Sequence, residues 1–164
     1  GYAMGSSPLM SFQYGAQKPA EMQNIFRKSI LFVLVGGILM FLLAEVSAEV
    51  IADIFVSYDE GLHRLTVESF RIYAVAYSLM GISIYGSALF TSLGNGIVSA
   101  VIALLRSLVF ECGCVLLMPL IFGIGGIWWS ISVAELASLV VTLVFIFALG
   151  RKYGFLKPKP SKVM

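Results

Sequence analysis

Four long apolar runs, separated by short polar segments, set the pattern of this chain. They cover residues 29–44, 72–93, 97–122 and 127–149. About 20 mostly apolar residues cross the hydrocarbon core of a bilayer as an α-helix, so the pattern predicts four membrane-spanning helices. The first run is short, which places Glu45 near the interface where that helix leaves the membrane.

The segments between the runs supply the predicted connections. Residues 45–71 are rich in charge and contain an Asp-Glu-Gly turn signal at 59–61, so we predict a polar loop there. The Gly-containing segments 93–96 and 123–126 predict tight turns. A Gly-Gly pair at 36–37, inside the first run, permits a bend or a close helix contact.

Both ends of the chain differ from the apolar runs. Residues 1–14 carry no charged side chain but are too short to span a membrane, so we interpret them as the end of a helix that begins before Gly1. Residues 15–28 are charged and contain Pro19, a residue type favoured at helix starts. The tail from Gly150 is basic and interrupted by prolines, which predicts disorder.

Composition supports a membrane protein over a soluble one. Only 12% of the residues are charged, against about 25% in ordinary globular chains, which is too little to cover a water-facing surface. The net charge is only +2, and no basic stripe alternates with aromatic residues, which argues against binding to nucleic acid. The expected surroundings are the lipid bilayer.

The basic residues are distributed unevenly between the two predicted sides of the membrane. Nine of the eleven Lys and Arg residues belong to the side of residues 15–28 and the tail, when Arg106 is counted there. Basic residues are enriched on the cytoplasmic side, so we expect the C-terminus in the cytoplasm and residues 50–66 outside the cell. The expected location is the plasma membrane, crossed several times.

Three ionisable residues lie inside the predicted spans: Arg106, Glu111 and Glu135. A charged side chain at the centre of a membrane helix costs about 2.5–3.5 kcal/mol, so each of the three marks a functional hypothesis. Arg106 and Glu111 are five residues apart, which is not the spacing of a helical ion pair. We expect Arg106 to extend toward the cytoplasmic surface.

Glu135 is the strongest candidate, because it belongs to a polar stripe on the fourth span. Ser132, Ser138 and Thr142 recur around it at spacings of three and four residues, which places all four on one helix face. Such a face turns toward protein or water and away from lipid. Two interpretations stay open: a carboxylate that binds a proton or another coupling cation, or a structural carboxylate held by a neighbouring helix, for example by Arg106.

The second span carries a stripe of aromatic, apolar and polar side chains. Its members share one face: Tyr73, Tyr77, Met80, Ile84, Ser87 and Thr91. Aromatic faces attract organic cations and methionine adapts to irregular shapes, so Tyr73, Tyr77 and Met80 are candidates for a substrate cavity. Ordinary helix packing is the alternative.

Motifs of enzymes and metal sites are missing from the sequence. The chain contains no nucleophile elbow, no zinc-ligand spacing and no phosphate-binding loop. We therefore expect neither catalytic residues nor a metal site.

Four segments, in order along the chain, resemble the multidrug and toxic compound extrusion (MATE) family. They are PLMSFQYGA at 8–16, FTSLGN at 90–95, LLRSLVF at 104–110 and PLIFGIGGIWWSISVAE at 119–135. The last is the most specific. The resemblance implies a transporter of twelve helices in two lobes. Residues 1–149 would then hold the end of helix eight and helices nine to twelve, and residues 150–164 a cytoplasmic tail.

The resemblance also implies an activity. Members export cationic and amphipathic compounds in exchange for Na⁺ or H⁺ by alternating access, and the first lobe would be the partner of this one. Some members carry an acid midway along the tenth helix, whereas residues 73–85 of this chain contain none. The coupling ion and the position of its site therefore stay open.

Three other classes compete with drug export. A related lipid-linked oligosaccharide or polysaccharide flippase would need a cavity rich in arginine and lysine, and these spans hold one deep arginine. A membrane enzyme would need a catalytic pair at matched depth. A free-standing four-helix membrane subunit would have Gly1 as its native start.

Overall fold

The computed structural model describes residues 1–156, which form helices joined by short connections. The elements follow in order: α1 (Tyr2–Gly15), α2 (Pro19–Val56), α3 (Glu60–Ser92), α4 (Gly96–Leu104), a π-helical segment (Leu105–Glu111), α5 (Cys112–Phe122) and α6 (Ile124–Tyr153). Four stretches are long and apolar enough to cross a membrane: α2, α3, the continuous helical stretch Gly96–Phe122, and α6. The predicted all-α membrane architecture with four spans is confirmed.

Helix α1 corresponds to the short helix predicted before the first span, and it packs against α3 and α2. Met10 is buried, and the Ser11 hydroxyl donates a hydrogen bond of 2.7 Å to the carbonyl oxygen of Ser92. The hydroxyl oxygens of Tyr2 and Ser29 lie 2.9 Å apart. These contacts attach α1 to both neighbouring helices.

The polar loop predicted at residues 45–71 is wrong, because nearly all of it is helical. Helix α2 continues to Val56 and α3 begins at Glu60. Asp59 caps α3, since its carboxylate accepts a hydrogen bond of 3.0 Å from the backbone N–H of Leu62. The two helices therefore continue their pairing well past the apolar runs, as a helical hairpin.

A four-residue spacing of alanines explains why this hairpin stays helical. Ala44, Ala48 and Ala52 are all buried. Small side chains at this spacing form one helix face along which two backbones approach closely. The contact buries little apolar area per residue, so it produces no strong hydrophobic run that would reveal it in the sequence.

Ion pairs attach the acidic face of α2 to α3. Arg71 Nη2 lies 3.0 Å from Glu49, and Arg71 Nε lies 3.6 Å from Glu45. His63 Nε2 also forms a hydrogen bond of 2.8 Å with Asp53 Oδ1. These side chains are partly exposed, so each pair contributes about 0.2–1 kcal/mol. The charged side chains that suggest a loop in the sequence lie on the exposed side of a pair of helices.

Small residues also let the backbones of the bundle approach each other inside the spans. A Cβ at Gly37 would lie 3.1 Å from the carbonyl oxygen of Ser78, so the close contact predicted for residues 36–37 is confirmed at Gly37. A Cβ at Gly86 would overlap the side chain of Thr142 on α6. Helix α3 therefore packs against both α2 and α6 and forms the centre of the bundle.

An aromatic core closes the end of the bundle opposite the hairpin. Phe26 and Phe90 pack against Phe155, at ring-centroid distances of 5.0 and 6.3 Å. Asn95 lies in the predicted turn before α4, which is confirmed, and its amide donates a hydrogen bond of 2.8 Å to the hydroxyl of Tyr153. The start of α2 and the ends of α3 and α6 meet in this core.

The disorder predicted from Gly150 onward is wrong for the part of the tail that the structure describes. Helix α6 runs to Tyr153, and Gly154 follows in the left-handed conformation with φ of 81°, which turns the chain back toward the bundle. Phe155 is then buried in the aromatic core. Residues 157–164, which hold the rest of the predicted cytoplasmic tail, lie outside the described residues.

Candidate functional site

The polar stripe of α6 faces protein, as its spacing predicts. Ser132, Glu135, Ser138 and Thr142 are all buried. The Ser132 hydroxyl donates a hydrogen bond of 2.9 Å to the carbonyl oxygen of Ile72 on α3. This bond fixes the register of α6 against α3 at the level of the tyrosine stripe.

Glu135 forms an ion pair with Arg106 across the interface between α6 and the π-helical segment. Arg106 Nη2 donates a hydrogen bond of 2.7 Å to Glu135 Oε1, and Nε donates at 3.1 and 3.3 Å to the two carboxylate oxygens. The side chains are 22% and 5% exposed, respectively. Oε1 thus accepts from two nitrogens of the guanidinium and Oε2 from one, and such charge-assisted hydrogen bonds are shorter and stronger than neutral ones.

The prediction that Arg106 extends to the cytoplasmic surface is therefore wrong. A guanidinium inside the membrane needs a polar partner to offset its loss of hydration, and Glu135 supplies one within the bundle. Of the two interpretations of Glu135, the bond to Arg106 is observed. A role for Glu135 in binding a coupling ion stays a prediction.

The π-helical segment runs from Leu105 to Glu111, so it contains both charges of this helix. In an α-helix, residues five apart point about 140° away from each other. A π-helix bonds residue i to residue i+5, which brings Arg106 and Glu111 toward a common face. The sequence shows the five-residue spacing of Arg106 and Glu111. It gives no sign of the π-helical winding, which is what turns the two side chains toward one face.

The tyrosines of α3 lie next to these charges. The ring centroids of Tyr73 and Tyr77 are 5.9 Å apart in an edge-to-face arrangement. The carboxylates of Glu111 and Glu135 both lie within electrostatic range of the Tyr73 hydroxyl. Met80, two turns further along α3, is half-buried. Arg106, Glu111, Glu135, Ser132 and Tyr73 are thus brought together, and we call these five residues the charged cluster.

The C-terminal end of the α3 stripe packs against α4 and not against the charged cluster. The hydroxyls of Ser87 and Thr91 lie 3.0 and 2.6 Å from the hydroxyl of Ser99 on α4. This part of the stripe serves helix packing, as the alternative interpretation expected. The candidates Tyr77 and Met80 lie between the charged cluster and this packed end.

A cavity of about 840 Å³ lies between α3 and the hairpin of α5 and α6. Its walls are mostly apolar and aromatic, and they include Ile72, Met118, Phe122, Trp128, Trp129 and Val133. A smaller cavity of about 240 Å³ shares Leu65, Ser69 and Trp128 with it and extends to Tyr73. The larger volume lies within the range of about 300–1,000 Å³ that is typical of small-molecule sites with apolar walls.

Trp128 is the site residue that sequence analysis missed. It lines both cavities, and its indole nitrogen is buried without a hydrogen-bond partner among the described residues. Trp128 and Trp129 lie near the start of α6, a position that is equally typical of anchoring at the membrane interface. Only the packing of α3 against α6 shows that Trp128 is part of a cavity wall.

Comparison with known proteins identifies the family. The family model MatE matches residues 1–115, a stretch that contains Tyr73, Arg106 and Glu111. Searches of the curated proteins and of the solved structures each found no match. In residues 1–156, no group of three or more His, Cys, Asp or Glu side chains could hold a metal ion. Since the matched stretch covers more than half of the chain, this protein belongs to the MatE family of membrane transporters.

Proposed function

We propose that this transporter exports organic cations and other amphipathic compounds in exchange for H⁺ or Na⁺, by alternating access. The observation that carries the proposal is the charge balance at mid-span. Arg106 is bound by Glu135, and Glu111 lies beside them on the same segment. One positive side chain therefore stands against two carboxylates, and the excess negative charge favours cations.

The cavity between α3, α5 and α6 supports the same class of substrate. Its apolar walls suit the hydrophobic body of an amphipathic compound. Tyr73 and Trp128 present ring systems to the smaller cavity, and aromatic faces attract organic cations. Tyr73 also lies within electrostatic range of the Glu111 and Glu135 carboxylates.

An anionic lipid-linked oligosaccharide is less well suited to this site. A flippase for such a substrate needs positive side chains that can bind its phosphate groups. Within the described spans the deep cation is Arg106, and Glu135 already occupies its guanidinium with three hydrogen-bond contacts. We therefore favour drug export over the flippase alternative.

Replacing Tyr73 with alanine should reduce export of a flat cation such as ethidium. Loss of one cation–π contact costs about 1 kcal/mol, or roughly a fivefold loss of apparent affinity. The measurement is the concentration dependence of ethidium efflux from cells that express the complete gene product and lack their own exporters. Tyr58→Ala is the matched control, because Tyr58 is exposed near the hairpin turn and should leave efflux unchanged.

Two results would contradict this proposal. Efflux that is the same with and without the complete gene product, for a panel of organic cations, would remove the assigned substrate class. Equal losses in Tyr73→Ala and Tyr58→Ala would show that the effect does not arise at the cavity.

The proposed orientation places the C-terminus in the cytoplasm and the α2–α3 hairpin outside the cell. Cys112 and Cys114 are free thiols, so both are first replaced with serine. In that background we expect an impermeant thiol reagent to label Ser57→Cys in intact cells and Ser161→Cys only after permeabilisation. The opposite pattern would reverse the orientation, and it would place eight of the eleven basic residues, those of residues 15–28 and of the tail, outside the cell.

A further inference from the structure

We infer that α2 binds one anionic phospholipid on its exposed face, with the headgroup at Arg27 and Lys28 and an acyl chain along the aliphatic side chains that follow. The inference goes beyond the proposed export function, because it concerns the lipid that surrounds the transporter and not its substrate. We call this surface the lipid face. Its members are Asn24, Arg27, Lys28, Leu31, Val35 and Ile38.

The lipid face is a single stripe along α2. Its members recur at spacings of three and four residues, which places them on one side of the helix, and all of them are exposed. A recess of about 640 Å³ lies along the first part of the stripe. Its lining residues are Ala20, Gln23, Asn24, Arg27, Lys28 and Leu31. Since all six belong to α2, the recess is open to whatever surrounds the bundle.

Arg27 and Lys28 are free to bind an anion. Within residues 1–156 neither side chain has an ion-pair partner, whereas Arg106 is held by Glu135. Residues 18–28 contain three basic side chains and one acidic side chain, Glu21, so this segment has a net charge of +2. The donors of both cations therefore remain available to a ligand.

The polar part of the lipid face suits a phosphate group. Arg27 offers a planar fork of donors that matches two phosphate oxygens, and Lys28 adds a compact positive charge. Asn24 lies one turn before Lys28 and adds an amide donor. Two cations favour a headgroup with net negative charge over a zwitterionic one, which carries an ammonium of its own. We therefore assign an anionic phospholipid.

The apolar part of the lipid face has the length of one membrane leaflet. Lys28 comes directly before the first apolar run at residues 29–44, so the cations lie where that span enters the hydrocarbon. Leu31, Val35 and Ile38 follow, and they are 63%, 48% and 53% exposed. The ten residues from Lys28 to Ile38 rise by about 15 Å, which is half of the hydrocarbon core of about 30 Å.

The opposite end of α2 excludes the same headgroup. Glu49 and Asp53 continue the stripe beyond the apolar run at helical spacing. Arg71 lies 3.0 Å from Glu49 and 3.6 Å from Glu45, so three carboxylates share one arginine there. This excess of negative charge repels an anionic headgroup, and α2 accepts the lipid only at the end where it begins.

The first test measures lipid affinity by native mass spectrometry of the complete gene product in detergent. The parent should retain one molecule of phosphatidylglycerol at concentrations where phosphatidylcholine is lost. Arg27→Gln/Lys28→Gln should bind phosphatidylglycerol about thirtyfold more weakly, since each basic residue near a membrane surface contributes about fivefold. Its affinity for phosphatidylcholine should be unchanged.

Arg151→Gln/Lys152→Gln is the matched control, because it removes the same charge from a different place. Arg151 and Lys152 lie in the last turn of α6, where the negative end of the helix dipole disfavours a phosphate. This variant should bind phosphatidylglycerol as the parent does. Equal losses in the two double variants would show a general effect of net charge and would overturn the site.

The single variants keep the test valid if Arg27→Gln/Lys28→Gln is not recovered in folded form. Arg27→Gln and Lys28→Gln should each lose about fivefold in affinity for phosphatidylglycerol. Parent-level affinity in both, or a parent protein that binds phosphatidylcholine as tightly as phosphatidylglycerol, would contradict the inference.

A second measurement identifies what covers the lipid face in a membrane. The photoreactive residue p-benzoylphenylalanine replaces Leu31, or Leu42 as the control, in the complete gene product reconstituted in vesicles of phosphatidylglycerol and phosphatidylcholine. Leu42 lies on the same face and is 51% exposed, but it is about 21 Å from Lys28 along the helix. Adducts at position 31 should be enriched in phosphatidylglycerol, whereas adducts at position 42 should follow the vesicle composition.

Three other products would each overturn the inference. A crosslink from position 31 to another part of the same chain would show that protein covers this face, for example the first lobe. A crosslinked dimer would show that a second copy covers it. Displacement of phosphatidylglycerol by an equal concentration of soluble glycerol 3-phosphate would show a site for free phosphate compounds, in which the acyl chain plays no part.

Discussion

Replacing Glu135 with glutamine should remove most of the folded protein, because it leaves the Arg106 guanidinium unpaired inside the bundle. Breaking a buried ion pair from one side costs about 3–5 kcal/mol, which is a large part of the stability of a typical domain. Arg106→Gln should have a similar effect, since it strands the carboxylate. The measurement is monodisperse yield, and resistance to heating, by size-exclusion chromatography of the complete gene product.

The double variant Arg106→Gln/Glu135→Gln should recover much of that yield, because neither charge is then buried alone. Arg106→Lys should retain only part of the parent yield, because a single ammonium cannot contact the carboxylate through two nitrogens. Arg64→Gln is the matched control: Arg64 forms an ion pair with Glu68 whose side chains are 83% and 59% exposed, and such pairs contribute about 1 kcal/mol or less.

Two outcomes would contradict this assignment. A double variant less stable than either single variant would show that the pair is not the source of the loss. Normal yield with abolished efflux in Glu135→Gln would make Glu135 itself the coupling residue, the other interpretation that the polar stripe allowed.

Replacing Gly86 with alanine should destabilise the contact between α3 and α6. The new methyl group would overlap the side chain of Thr142, and overpacking of this kind costs about 1–3 kcal/mol. The expected result is a lower temperature of thermal aggregation in detergent. Since Ser132, Glu135 and Thr142 share the same face of α6, a shift of this helix should also disturb the charged cluster.

Rescue by a second substitution makes the prediction specific. Thr142→Ser removes the methyl group that the new Cβ would meet, so Gly86→Ala/Thr142→Ser should be more stable than the sum of the single changes, by about 0.5–3 kcal/mol. Gly36→Ala is the matched control, because no atom lies within 4 Å of its Cβ position. It should be neutral or stabilising, since alanine is about 0.8–1.0 kcal/mol better than glycine in a helix. Equal losses at Gly36 and Gly86 would contradict close packing as the cause.

The alanine contact between α2 and α3 shows where reasoning from hydropathy failed. Charges interrupt the apolar run over residues 45–56, so hydropathy predicts a loop where the structure has a helix. The spacing of Ala44, Ala48 and Ala52, and of the acidic residues beside them, was a helical signal available in the sequence. Average hydropathy does not record spacing, so a polar helix and a polar loop give the same value.

The candidate site was partly visible in the sequence. The stripe of Ser132, Glu135 and Thr142 was identified because its members recur at the period of an α-helix, and burial confirms that it faces protein. For Glu111 the sequence shows only an ionisable residue in a predicted span. The role of Trp128 is not readable from the sequence, because a tryptophan at a helix start fits a membrane interface as well as a cavity wall.

The sequence by itself determined the four spans, the turn after α3, the polar face of α6 and the family. Each of these depends on residues that are neighbours along the chain or on ordered segments of it, so hydropathy, helical period and motif are sufficient. The tertiary structure decided which groups meet. Arg106 and Glu135 are 29 residues apart, and whether they touch depends on how two helices are rotated about their axes. A helix repeats every 3.6 residues, so the π-helical winding in one span changes that rotation for every residue after it. Hydropathy and helical period along the sequence do not reveal such a change in rotation.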